Sequence, residues 1–200
     1  MDDEKQQKVI KDIRKISVPD IVKRNLINAS LLLTAYELMK DSLIRRVNDF
    51  FLNMRPGGSI EFINEIKELR KQLPINRRKH YLLVYTRWFE KHGALIEGEV
   101  EDVEKIRDYR NKVAHELLDF LVDSDFELDL NYLVQIRDIL EKVDIWWVKE
   151  IEIPVNQDFD NIEVKDSDIK SGKMVVLDYL LSIALELGQD IEKNRSGLVH

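Results

Sequence analysis

The sequence predicts an all-α fold, a helical bundle, and three observations carry that expectation. Glycine and proline number only seven and four in 200 residues, too few turn formers for a many-turned sheet. Apolar side chains recur three and four residues apart through several long segments, the pattern of helices that each bury one face. No convincing pair of strands accompanies them.

Seven helical segments are expected in order. The first, about 3–16, is charged and weakly amphipathic and ends ahead of Pro19. The second begins near Asp20 or Asn25 and runs to Met54, where Arg55, Pro56, Gly57 and Gly58 stop it. Leu26, Ala29, Leu33, Tyr36, Leu43, Val47 and Phe50 form its apolar stripe. A third, short helix opens at Ser59, read as its N-cap, with Glu61 in the first turn. A fourth spans about 75–92 and closes at Gly93. The fifth runs from about 99 to 122, ahead of the polar turn Asp123, Ser124, Asp125, and buries Val103, Ile106, Tyr109, Val113, Leu117 and Phe120. The sixth, about 130–151, carries Leu133, Ile136, Leu140, Val143 and Trp147 at core spacing. Residues 154–168 read as an acidic, irregular connector, and 171–193 as a seventh helix too apolar to stand alone. Residues 1–200 are therefore expected to form one bundle domain with appended N- and C-terminal helices.

Composition narrows the class. Hydrophobic residues make up 44% of the chain and charged ones 34%, as in a soluble globular protein. The absence of cysteine excludes disulfides, thiolate metal sites and cysteine nucleophiles, and fits a reducing compartment. The first residues are charged and lack the apolar stretch of a signal peptide, and 26–33 is too short to span a bilayer. A cytoplasmic location without membrane contact is the expectation. A net charge of −7 argues against indiscriminate nucleic-acid binding. A local basic cleft remains open to Arg45 with Arg46, Arg77 with Arg78 and Lys79, and Arg107 with Arg110, if they converge.

The most informative segment lies in the fifth helix, where Arg110 and Asn111 are followed by His115. Asp108, Asn111, His115 and Asp119 share a polar face opposite the apolar one. Such a face needs solvent, a partner subunit or a cleft. Arginine and histidine at this spacing are a weak signal alone, since Arg87 and His92 repeat it. There a tryptophan follows the arginine and the histidine abuts Gly93, so a basic last turn complementing the helix dipole explains that copy. For the later copy the plain alternative is a structural Asn–His pair, or a polar dimer seam in which His115→Ala alters assembly alone.

Arg110, Asn111 and His115 resemble the signature of HEPN domains, all-helical modules whose active members are metal-independent ribonucleases. The strict match covers six residues; the long early helix and the flank from Tyr109 to Leu117 resemble the family more loosely. The resemblance implies an endoribonuclease that cuts RNA by 2′-hydroxyl attack, leaving a 2′,3′-cyclic phosphate and a 5′-hydroxyl. It also implies a homodimer with a composite site at a two-fold axis, and a toxin or anti-phage role held in check by an inhibitory partner protein. No cofactor and no metal is implied.

The chemistry matches those residue types. Histidine exchanges protons near neutral pH, and arginine offers a fixed fork of donors to a phosphorane. Asn111 would hold the phosphate or orient His115. Arg110 sits about 140° round the helix from His115, so its side chain must curl or the two must meet across a dimer. Arg107 and Lys112 are candidates for the RNA backbone, and Asp108 and Glu116 for tuning His115. A toxin subgroup carries a tyrosine two residues after the histidine; here that position is Leu117, which puts regulation by its modification in doubt. The rival reading is a non-catalytic HEPN-like dimer module that binds RNA, a nucleotide or a protein.

Three further features stand out. Glu37 interrupts an apolar helix and either pairs with an arginine, leans toward the motif helix or is exposed. Of Trp146 and Trp147, one ring should fill core and the other cover a terminus or interface. The acidic stretch 157–163 lacks the glycine and spacing of a calcium loop and reads as solvated connector.

Overall fold

The computed structural model describes residues 2–54, 58–77, 80–156 and 164–196, and among them every regular element is helical. The expectations placed on Arg55 to Gly57, on Arg78 and Lys79, on 157–163 and on His200 fall outside these residues. No helix among them is long and apolar enough to cross a membrane.

Helix α1 (Asp2–Ser17) ends at Val18, whose extended backbone is what a residue before proline prefers. Helix α2 (Pro19–Lys40) starts on that proline and continues through a π turn (Asp41–Arg45), α3 (Arg46–Asn48) and a second π turn (Asp49–Met54). The sequence explains the widening. Met39, Leu43, Val47 and Phe51 are all buried, and each lies four residues after the last. In an ideal α-helix four residues overshoot a turn by about 40°, so the stripe would drift off the core. Wider i→i+5 turns hold more residues per turn and cancel that drift.

Helix α4 (Gly58–Gln72) begins one residue before Ser59, which thus lies inside the first turn and is not the N-cap. The expected helix over 75–92 is shorter. Ile75–Arg77 form a 3-10 turn, His80 leaves helical geometry, and α5 (Tyr81–Lys91) follows. Gly93 closes it at φ 81°, where the Ala94 amide donates to the Phe89 carbonyl at 2.9 Å.

Helix α6 (Glu97–His115) breaks at Glu116, and α7 (Leu117–Val122) resumes at an angle, so the single helix expected over 99–122 is two. The break folds the chain back. Phe120 stands edge-on to Tyr109 at 6.4 Å, whereas eleven residues of straight helix would carry them about 16 Å apart. Helix α8 (Asn131–Trp147) extends through a π turn (Val148–Glu152) into α9 (Ile153–Val155), so Pro154 sits in a helical turn. Helix α10 (Gly172–Ser196) returns to pack on α2 and α8 through Met174, Leu177 and Ala184.

The core lies between α2, α5, α6 and α8, with Leu32, Trp88, Ile106 and Leu140 almost wholly enclosed. One buried carboxylate organises its far side. Asp144 is 2% exposed, accepts from Arg46 at 2.5 Å and also accepts the Ser171 hydroxyl. Ser171 Oγ in turn accepts the Met174 amide at 3.2 Å, capping α10.

Helix α1 docks the other way round. Asp12 accepts the Ser124 amide at 2.8 Å, and the Lys15 ammonium donates to the carbonyls of Asp123 and Phe126 at 2.5 and 2.6 Å. Lys8 pairs with Asp123 and Asp125. The polar face is thus turned inward, while Val9, Ile10, Ile13 and Ile16 stand in solvent, each about half exposed.

Two outcomes follow. Asp144→Ala leaves Arg46 short of its buried partner and α10 without its anchor, and should cost about 3 kcal/mol in denaturant unfolding; a loss near zero would mean Glu152 alone suffices for Arg46. The Ser124 amide holds the Asp12 carboxyl below its ordinary range. Its contribution to α1 docking is therefore full above about pH 4 and lost as pH falls through the lower folded value. Protection of the amides of residues 2–17, taken against the intrinsic exchange rate at each pH, should fall on acidification toward pH 3, and at neutral pH in Lys15→Met, before α2 or α8 loosens; equal protection throughout would refute polar docking.

Candidate functional site

The motif helix is well set at its start. Ile96 is extended, its amide donates to Glu99 at 2.9 Å, and Glu97 and Glu99 face the positive end of the helix dipole. Val100, Val103, Ile106 and Val113 bury one side; Arg110 continues that side beyond Ile106 and is partly buried, Arg107 and Asn111 flank it, and His115 is exposed.

Arg110 is the structural centre of this flank. Its side chain is 30% exposed and its guanidinium lies 5.2 Å from the ring centre of Tyr36 on α2. One terminal nitrogen donates to Glu37 at 3.1 Å and the other to Asn111 at 3.3 Å. The Nε atom is buried with no partner. Glu37 is half exposed and shares its second oxygen with Lys40 at 3.1 Å. Glu37 thus pairs with an arginine and leans toward the motif helix while remaining open to solvent. Burial pushes the Tyr36 phenol above its ordinary value even though the Arg110 charge opposes this.

His115 is placed differently. It is the last residue of α6, not a mid-helix residue, because the break at Glu116 follows at once. Its ring is exposed, and among the described residues nothing hydrogen-bonds to it. One chain therefore brings Arg110 and Asn111 together but does not join His115 to either. Neither Asp108 nor Glu116 hydrogen-bonds to His115; Asp108 instead accepts from Arg107 at 2.8 Å.

Arg107 also reaches His80, with Nη1 at 2.7 Å from Nδ1. Because the guanidinium can only donate, that nitrogen must accept, and the ring proton sits on Nε2. Arg77 pairs with Glu104 one turn away, so among the described residues of the 75–80 segment one cationic side chain reaches α6. Arg45 and Arg46 do not join it; they pair with Asp41, Asp144 and Glu152 elsewhere. Lys112 lies over Phe126 at 4.7 Å, a use that competes with a backbone contact. His80 carried no sequence signal beyond being one of four histidines.

The earlier Arg–His copy is fully engaged. Arg87 pairs with Glu90, and His92 caps α5 with its Nε2 3.2 Å from both Glu65 oxygens. Trp147 fills core, and Trp146 covers a helix end by donating to the His92 carbonyl at 3.0 Å. Two cavities, of about 480 and 870 Å³, lie away from the motif and are not lined by Arg110, Asn111 or His115.

Releasing Arg110 should expose an anion-binding group. In Glu37→Gln the Arg110 Nε–H resonance should respond to several-fold lower phosphate than in the parent chain, with unfolding free energy changed by less than about 1 kcal/mol because the pair is half exposed. An unaltered phosphate titration would show that Arg110 is not available to anions. No protein-family model matches the chain, and neither a curated protein nor a solved structure matches it.

Proposed function

We propose that this protein is a HEPN-type endoribonuclease that cuts cellular RNA without a metal, acting as a cytoplasmic homodimer in a toxin or anti-phage role. The observation that carries the reading is Arg110: a half-buried guanidinium oriented by Tyr36, Glu37 and Asn111, five residues before an exposed histidine with no partner of its own.

In this mechanism the substrate's 2′-oxygen attacks phosphorus and the 5′-oxygen departs. His115 removes the 2′-hydroxyl proton or protonates the leaving oxygen. Arg110 takes the phosphorane oxygens in place of Glu37, which Lys40 retains. Asn111 holds Arg110 in its fork geometry and can meet the phosphate beside it. Arg107 and Arg77 would carry the RNA backbone past the site. Because His115 is not joined to Arg110 within one chain, a second copy supplying its own His115 would complete the acid–base pair.

A second reading has its own support. Glu37 already pairs with Arg110 and the chain is acidic overall, as suits a non-catalytic module binding RNA, a nucleotide or a protein through the same flank. The two separate cleanly in one assay of total RNA and tRNA in excess EDTA. The enzyme reading expects discrete cuts with cyclic-phosphate ends, reduced about 100-fold or more in both His115→Ala and Arg110→Ala. Arg110→Lys should also lose most activity, lacking the fork. Retained RNA binding with no cleavage by folded parent protein supports the module instead.

A further inference from the structure

The cavity of about 480 Å³ lies between α4, α5 and the π turns that end α2 and α8, well apart from the motif flank. Its floor is aromatic. Phe51, Phe62 and Trp88 are buried there, with Phe51 and Phe62 stacked at 4.9 Å and Trp88 edge-on to both. Trp146 and His92 form a more accessible wall, each within 5.7 Å of the Trp88 ring centre. The rim is acidic. Glu61 and Glu150 are exposed, line the opening and, among the described residues, have no hydrogen bond or ion pair.

The hydrogen-bonding inventory decides what such a space accepts. Both indole N–H groups are already used, Trp88 donating to Glu65 at 2.8 Å and Trp146 to the His92 carbonyl. His92 Nε2 faces Glu65, and among the described residues no lysine or arginine lines the cavity. Those residues offer no free cation to a phosphate or carboxylate. What remains is carboxylate oxygen and the electron-rich faces of aromatic rings, both of which attract cations. Glu65 at the inner edge already holds one ammonium, that of Lys91. Burial alone would raise the Glu65 carboxyl; hydrogen bonds from Lys91, Trp88 and His92 outweigh it and keep the group below its ordinary range, so it stays charged. A bare metal ion would find only one inner carboxylate and an apolar floor, whereas an ammonium clothed in methyl groups suits both.

We infer that this cavity binds an alkylated ammonium group, seated against Trp146 above the buried floor of Phe51, Phe62 and Trp88 and neutralised by Glu61 and Glu150. The same chemistry can arrive as a free small cation or as a methylated lysine side chain.

Tryptophan fluorescence of the full-length chain reports binding directly, because Trp88 and Trp146 line the site. Tetramethylammonium and choline should give saturable changes, and 3,3-dimethyl-1-butanol, the uncharged isostere of choline, should bind at least about tenfold more weakly. Glu61→Gln with Glu150→Gln alters two exposed, unpaired side chains and should leave the circular dichroism intact while weakening choline about tenfold. A trimethyllysine peptide binding more tightly than choline identifies a protein side chain as the source; choline equal or tighter identifies a free cation. No saturable response to either ammonium or to the peptide, equal binding of the isostere, or an unchanged double variant would each overturn the proposal.

Discussion

The Asp144 carboxylate joins three helices at one buried point. It holds Arg46, the residue between the two π turns, and the hydroxyl of Ser171 that caps α10. Arg46 also lies over Trp147 at 4.9 Å, so the same charge cluster fixes an aromatic ring of the core. Burying a charge is costly unless it is paired and hydrogen-bonded, and here both conditions hold. Because α2 threads the middle of the bundle, fixing its far end against α8 also sets where Tyr36 and Glu37 meet α6. The surface that carries Arg110 thus depends on an ion pair nine residues further along the same helical rod.

That surface is organised around Arg110 more than around His115. Three neighbours position the guanidinium, one of which must yield before a phosphate can approach, and its Nε atom is enclosed without a partner. A buried donor left unpaired carries a desolvation cost that only a new acceptor or a shift of the side chain removes. His115 is the reverse case, exposed at a helix end with no hydrogen bond among the described residues.

The architecture was legible in the sequence wherever periodicity was long. The stripe of α8 and the stop at Gly93 read directly from spacing and turn chemistry; on α2 and its continuation, Ala29, Tyr36, Leu43 and Val47 are buried as expected, but Leu26 is exposed, and Met39 and Phe51 hold core places the expected stripe left out. The break at Glu116 was not legible, because no glycine, proline or asparagine marks it and Phe120 keeps helical register with Val113; only the fold-back onto Tyr109 reveals it. Asp144 looked like any surface acid beside the buried Val143, since burial of a charge depends on a partner 98 residues away. At the site, Arg110, Asn111 and the oddity of Glu37 were visible as residue types. Their mutual contact was not, because it depends on how α2 and α6 lie against each other. His80 was hidden for the same reason.

The inverted docking of α1 gives that helix a response to solvent unlike the rest of the chain. Its attachment is made of ion pairs and charged hydrogen bonds, which dissolved salt screens, while its outward Val9, Ile13 and Ile16 seek apolar cover, which sulfate strengthens. The core of the bundle tightens under the same sulfate that loosens α1. Salting the solution therefore weakens the polar attachment of one helix while strengthening the pull of its outward face toward apolar cover.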